Sequence, residues 1–166
     1  MHEFKKNPEL YYACKLLSSK DHREYKRLIK VKDMYGYATD GIACIKFPLT
    51  LEDGYYIPVK VTKTKIQIAK YAPLEKFPYP ECDRIFNITD YSYKEVDLPN
   101  EGSESIVLFT YDVLNNAVQP INFKYIQSME GVLDHHKYIV QVYEENKRPY
   151  IFQFKDTTIA IMGMAV

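Results

Sequence analysis

Thr157-Thr158-Ile159-Ala160-Ile161-Met162-Gly163-Met164-Ala165-Val166 is a hydrophobic run of β type with no charged or polar tail after it. Chain ends ordinarily fray in polar sequence unless the end is tied into the structure. This run is therefore expected to form a final strand. Two methionines on such a strand suit either an irregular core gap or an adaptable docking surface, because the flexible thioether conforms to both. Working back from it, Tyr150 to Phe154 and Tyr138 to Tyr143 read as strands, with turns at Glu145-Asn146 and Lys155-Asp156. Ile126, Met129 and Leu133 share one side of a short helix expected from Phe123 to Asp134.

The first half of the chain follows a similar plan. Asn7 suits a helix N-cap and Pro8 the first helical position. Leu10, Ala13, Cys14 and Leu17 then repeat at helical spacing, which leaves Pro8, Tyr12, Lys15 and Ser19 outward. From Tyr25 the period changes to two, with a turn expected over Asp33-Met34-Tyr35-Gly36. Asp40-Gly41 is a strong hairpin signal because both turn positions tolerate positive φ. Ile42 to Leu49 is the return strand, with Pro48 at its end. Asp53-Gly54 is a second turn, and Tyr55 to Val61 and Lys65 to Tyr71 are further strands. Ser105 to Thr110 is another strand candidate.

Residues 72–104 differ in character. Pro73, Pro78, Pro80 and Pro99, with acidic and polar residues between them, read as a linker or crossover with short strands at most. The expected organisation is one domain over 1–166, with a first unit at 1–71, this crossover, and a second unit at 105–166. Each unit is a helix followed by about three strands, and a repeated plan carries more weight than either half alone. The class expected is α+β, antiparallel, with the helices on one side of the sheet.

Several segments resemble the bacterial DNA sliding clamp, the DNA polymerase III β subunit family. Ala38-Thr39-Asp40-Gly41 matches the ATDG hairpin of bacterial clamps. Asp53-Gly54-Tyr55-Tyr56-Ile57-Pro58-Val59 is similar to the strand that starts a clamp's second unit. Phe77-Pro78-Tyr79-Pro80-Glu81-Cys82-Asp83-Arg84-Ile85-Phe86 resembles the FPxxxRV-type linker between clamp domains. Ile121-Asn122-Phe123-Lys124-Tyr125-Ile126-Gln127 is similar to the approach to the last clamp helix, and Ile161 to Val166 resembles the terminal MPMRL. Ile42 and Ala43 stand where clamps usually carry His-Arg, and Gly163, Ala165 and Val166 replace the terminal Pro, Arg and Leu.

The resemblance implies a DNA-clamp-like fold of two helix-plus-strand units related by a pseudo-two-fold. It further implies a non-enzymatic role in DNA replication, as a ring subunit or as a mimic that occupies a clamp's partners. Double-stranded DNA and polymerase or clamp-loader proteins are the partners it implies, with assembly into a homo-oligomer. The reduced size suits a phage or mobile element. The DNA-facing candidates are Lys15, Lys20, Arg23, Lys26, Arg27 and Lys124, since clamps hold phosphates loosely without reading bases. Met162, Met164 and Val166 are the candidates for a groove that takes partner peptides.

Composition bounds these expectations. The chain of 166 residues is long enough to bury a core, and 46% hydrophobic content argues for a folded protein. Sixteen tyrosines, eight phenylalanines and no tryptophan favour strands. Lys+Arg and Asp+Glu both number 22, so no global charge drives the chain toward nucleic acid. No apolar run is long enough to span a bilayer, and Met1 to Lys6 precedes no signal-peptide core. Cys14, Cys44 and Cys82 show no CxxC spacing, so neither a disulfide framework nor a zinc site is expected, and a reducing cytoplasm is.

No nucleophile elbow, P-loop, HExxH or paired-carboxylate pattern occurs, so no catalytic residue, cofactor or metal is expected. His135-His136 reads as a helix-to-strand turn, because adjacent residues on an extended segment point to opposite faces. Cys14 reads as a buried small hydrophobe. The alternative reading of the chain is a single-stranded nucleic-acid module that stacks bases on tyrosines, or an unrelated protein-interaction domain.

Overall fold

The computed structural model describes residues 1–73, 78–86, 92–96, 124–125, 138–142, 150–154 and 156–162. The chain divides into two compact units, Met1–Cys82 and Asp83–Val166. The described residues of both are mainly antiparallel sheet. The expected strand over 105–110, the turn at Glu145-Asn146 and the His135-His136 turn lie outside the described residues. Of the expected second helix, only Lys124 and Tyr125 are described, and both are helical.

The first unit contains β1 (His2–Lys5), α1 (Pro8–Leu16), β2 (Ile29–Lys32), β3 (Tyr35–Thr39), β4 (Ala43–Pro48), β5 (Gly54–Val61) and β6 (Lys65–Tyr71). Its strands lie in the order β1-β6-β5-β2-β3-β4. Five strands follow the helix where about three were expected, and β1 precedes it. β1 was not legible in the sequence because three of its four residues are polar. It forms by pairing with β6, His2 to Ile68 through Lys5 to Lys65, with Glu3 accepting from Lys65 Nζ at 2.7 Å and Gln67 Nε2 at 2.8 Å.

Helix α1 starts where the sequence placed it. The Asn7 side chain accepts from the Leu10 N–H at 2.9 Å and Pro8 occupies the first turn. Asn7→Ala is expected to lower stability by about 1 kcal/mol, read as a shift in a chemical denaturation midpoint.

The face of α1 that packs is rotated from the expected one. Leu10, Tyr12, Ala13 and Leu16 are buried, Tyr12 completely. Tyr12 is therefore core and does not point outward. The helix ends at Leu16, so Leu17 leaves the helical register, and Tyr12 and Leu16 stack four residues apart on one face. The helix lies against β3 and β4, which bury Ala38, Ile45 and Phe47.

Turn chemistry fixes the strand registers. Asp33 and Met34 adopt φ of 51° and 64°, so the β2–β3 loop is these two residues alone, with Lys32 opposite Tyr35. Gly36 thus lies within β3, not in the turn expected there. A Cβ at Gly36 would sit 2.8 Å from Phe47 Cζ, so glycine is required there by close packing. At the next hairpin, Asp40 Oδ1 accepts from Ile42 N and Ala43 N at 2.9 Å each, and Thr39 Oγ1 donates to Ala43 O at 2.8 Å. Gly41, at φ +92°, closes the turn.

The second unit pairs β10 (Thr157–Ile161) with β9 (Tyr150–Phe154), β9 with β8 (Tyr138–Val142), and β8 with β7 (Ser92–Val96). Phe154 stands opposite Thr157, and Asp156 is a turn residue, while Lys155 of the expected turn lies outside the described residues. Tyr150, Ile151 and Phe152 are buried in succession, as are Ile159, Ala160 and Ile161. Consecutive burial means both faces of these strands are covered. A short helix, α2 (Cys82–Phe86), lies in the segment read as linker.

Candidate nucleic-acid interface and partner strand

The basic residues after α1 are held by a tightly closed loop. Ser18 N donates to Lys26 O at 2.9 Å, Asp21 N to Ser18 O at 3.2 Å and Lys26 N to Arg23 O at 3.1 Å. The loop ends in one 3₁₀ turn, Glu24–Arg27. Lys20 is exposed, and Lys26 is half-buried beside the Asp40-Gly41 turn, its Nζ 3.3 Å from where a Gly41 Cβ would stand. The loop and the ATDG-type hairpin are thus neighbours, although Gly41 lies 15 positions after Lys26.

The six cations differ in what they already hold. Arg23 forks onto Asp21, with Nε 3.1 Å from Oδ1 and Nη2 3.2 Å from Oδ2. The Arg23 side chain, with its backbone N–H, holds the Asp21 carboxyl down at about 2. The pair therefore stays ionised at any working pH, and much of the Arg23 charge is neutralised locally. Lys15 lies over the Tyr11 ring at 4.8 Å, and Lys6 over the same ring at 3.9 Å. Lys124 is exposed and stands over the Tyr125 ring at 4.8 Å. Arg27 is half-buried, and its Nε has no hydrogen-bond partner.

The Met162 side chain is 36% exposed directly after the buried β10. Met164 and Val166 lie outside the described residues. Among the described residues, no cluster of His, Cys, Asp or Glu is placed to hold a metal, and no helix is long and apolar enough to cross a membrane.

Tyr12, Tyr37, Tyr56, Tyr79, Tyr125 and Tyr150 are all buried, so a large part of the tyrosine content serves packing. Tyr79 is the least expected of these. It belongs to the proline-rich segment read as linker, yet its hydroxyl lies 3.2 Å from Leu28 O and 3.0 Å from Tyr37 O. Its ring centroid is 5.9 Å from that of Tyr55 and 6.4 Å from that of Tyr25. Burial pushes its phenol well above the usual range, so it remains a neutral donor. Nothing in the sequence distinguished Tyr79 from the other linker residues.

Solved structures of replication clamps match the chain across its whole length. The fold is similar to that of the DNA polymerase III β sliding clamp. The β subunit from Pseudomonas aeruginosa aligns with a TM-score of 0.54 at 12% identity, covering 100% of this chain and 67% of that one. The Helicobacter pylori β clamp bound to a DNA ligase peptide aligns at 0.59 and 12% identity, covering 99% and 66%. The same clamp in complex with 3,4-difluorobenzamide gives 0.60 at 14%, covering 99% and 66%. The clamp-like chain therefore spans about two thirds of the length of the clamps it matches. At these identities the likeness is one of fold. No protein-family model matches the sequence, and no curated protein does.

Proposed function

We propose that this clamp-like chain is a non-enzymatic accessory protein of DNA replication that acts by topology or by competition, not by chemistry. The observation that supports this most is the fold likeness to β sliding clamps over the full chain, at TM-scores of 0.54 to 0.60. In the topological version the chain assembles into a ring around double-stranded DNA and keeps a polymerase nearby. In the competitive version it occupies a polymerase or clamp-loader protein that otherwise engages a clamp. The two units would be related by a local two-fold with the helices on one side, α1 supplying one and the segment around Lys124 the other. A cytoplasmic setting in a phage or mobile-element context fits this role.

The peptide-binding part of the proposal rests on the exposed Met162 beside the apolar strand β10. The Helicobacter pylori neighbour binds a DNA ligase peptide, and a short apolar segment of that kind is the partner proposed for Met162, Met164 and Val166. On the DNA side, Lys15, Lys20, Lys26 and Lys124 are the proposed phosphate contacts, with Arg23 contributing less because Asp21 already holds it. Arg27, whose Nε is shielded from solvent, stands apart from this set.

Light scattering across protein concentrations, followed by retention on nicked circular against linear DNA, tests the reading. One copy of this chain cannot surround a duplex, so encirclement calls for assembly into a closed ring. A stable ring-sized oligomer retained on the circle and lost from linear ends supports the topological version. A monomer at every concentration overturns it and leaves only competition for clamp-binding peptides. The Lys20→Ala, Lys26→Ala double variant is expected to lower the slope of log affinity against log salt by about 2. An unchanged slope would remove these two lysines from the interface.

A further inference from the structure

Strand β5 carries one residue more than its neighbour. Pro58 stands opposite Ile68 and Lys60 opposite Gln67, so Val59 has no counterpart on β6. A bulge of this kind bends the strand and re-aims its side chains, and bulges are over-represented beside functional sites. The β2 pairing of β5 stops at Ile29–Tyr56. Beyond Tyr56, β6 is the only strand paired with β5 among the described residues. Opposite this stretch lie the end of α1 and the 3₁₀ turn, and between them is a pocket of about 210 Å3 lined by Cys14, Leu17, Arg27, Val59, Lys60 and Val61, among others.

The chemistry of the lining defines an occupant. Arg27 Nε is shielded from solvent and has no hydrogen-bond partner, and a buried donor without an acceptor is costly. Arg27 and Lys60 contribute two positive charges, and among the described residues no Asp or Glu lines the pocket. Burial pushes the Cys14 thiol up to about 12, so it stays protonated and supplies no counter-charge. Apart from Ser19, the remaining side chains of the lining are apolar, and that character continues onto the surface, where Val59 is 50% and Val61 42% exposed. The site therefore asks for one anionic group and for apolar cover larger than the cavity.

We propose that this pocket docks an extended peptide segment of a partner protein, one that presents an aliphatic side chain next to a carboxylate. The aliphatic group fills the cavity between Leu17 and Val61, and the carboxylate accepts from Arg27 Nε and pairs with Lys60. A free carboxylic acid of cavity size leaves both exposed valines in water. A nucleic-acid phosphate satisfies the cations but sets a hydrated charge against apolar walls. An extended peptide covers both and runs along the singly paired stretch of β5. The inference concerns the first unit alone and holds whether or not the chain acts as a clamp.

The test is an NMR titration of the 15N-labelled full chain with acetyl-Leu-Glu-amide, whose Kd is expected to be on the order of millimolar for so small a probe. Amide shifts confined to Leu17, Ser19 and Val59 to Val61 are expected. Arg27→Gln and, separately, the probe acetyl-Leu-Gln-amide should each weaken binding roughly tenfold, the worth of one charged hydrogen bond. Val59→Ser, at a half-exposed position that leaves folding intact, should weaken it roughly three- to fivefold. Absent or dispersed shifts overturn the proposal, as does equal binding of the glutamine probe. The same shifts produced more strongly by inorganic phosphate or a 12-base-pair duplex would also overturn it and assign the pocket to a nucleic-acid backbone.

Discussion

Phe47→Ala is expected to destabilise the protein by about 3–5 kcal/mol, the range for deleting a buried ring where the surroundings collapse only partly. Phe47 is 1% exposed and sits opposite Gly36 on β4, a strand against which α1 packs. Gly36→Ala alone should cost about 1–3 kcal/mol, because the new methyl meets Phe47 Cζ at 2.8 Å, Cε1 at 3.0 Å and Leu49 Cδ2 at 3.1 Å. The two changes should not add. Once the ring is gone the Gly36→Ala methyl enters vacated space, so the double variant should be less destabilised than the sum by more than about 0.5 kcal/mol. Urea denaturation of the four proteins closes this cycle. Strict additivity would show that Gly36 is not kept small by Phe47.

Tyr79→Ala should be comparably severe, also about 3–5 kcal/mol, although Tyr79 lies between two prolines in a segment that reads as linker. The ring fills space beside Tyr25 and Tyr55, and its hydroxyl answers the Leu28 and Tyr37 carbonyls. Tyr79→Phe keeps the ring and removes the hydroxyl, and is expected to cost about 1–2 kcal/mol. The ratio between the two variants separates packing from hydrogen bonding. If both variants unfold with the wild type, the 78–82 segment is a tether and not part of the first unit's core.

Local chemistry was legible wherever it was self-contained. Asn7 and Pro8 started α1, Asp40-Gly41 turned the hairpin, and alternation from Lys65 to Tyr71 placed β6, because each signal acts within a few residues. Legibility failed where a partner distant in sequence decided the outcome. Gly36 looked like a turn residue because its constraint comes from Phe47, 11 positions on. β1 looked unstructured because its strand character comes from β6, more than 60 residues away. Among the site candidates, Lys20 and Lys26 were found together after α1, but nothing in the sequence said that Asp21 would occupy Arg23 or that Arg27 would turn toward the β5 bulge.

The sequence by itself determined that the fold is mainly antiparallel sheet, that the chain turns at Asp40-Gly41, and that a buried strand begins at Thr157. Turn propensity, capping and period-two alternation are properties of neighbouring residues, and they act before any tertiary contact forms. Only the tertiary structure decided that Tyr12 faces inward, that Tyr79 is core, that one arginine is neutralised while another is left without an acceptor, and that Val59 bulges over a pocket. Each of these depends on which atoms meet across the sheet, where burial and close packing override the preference of any single residue.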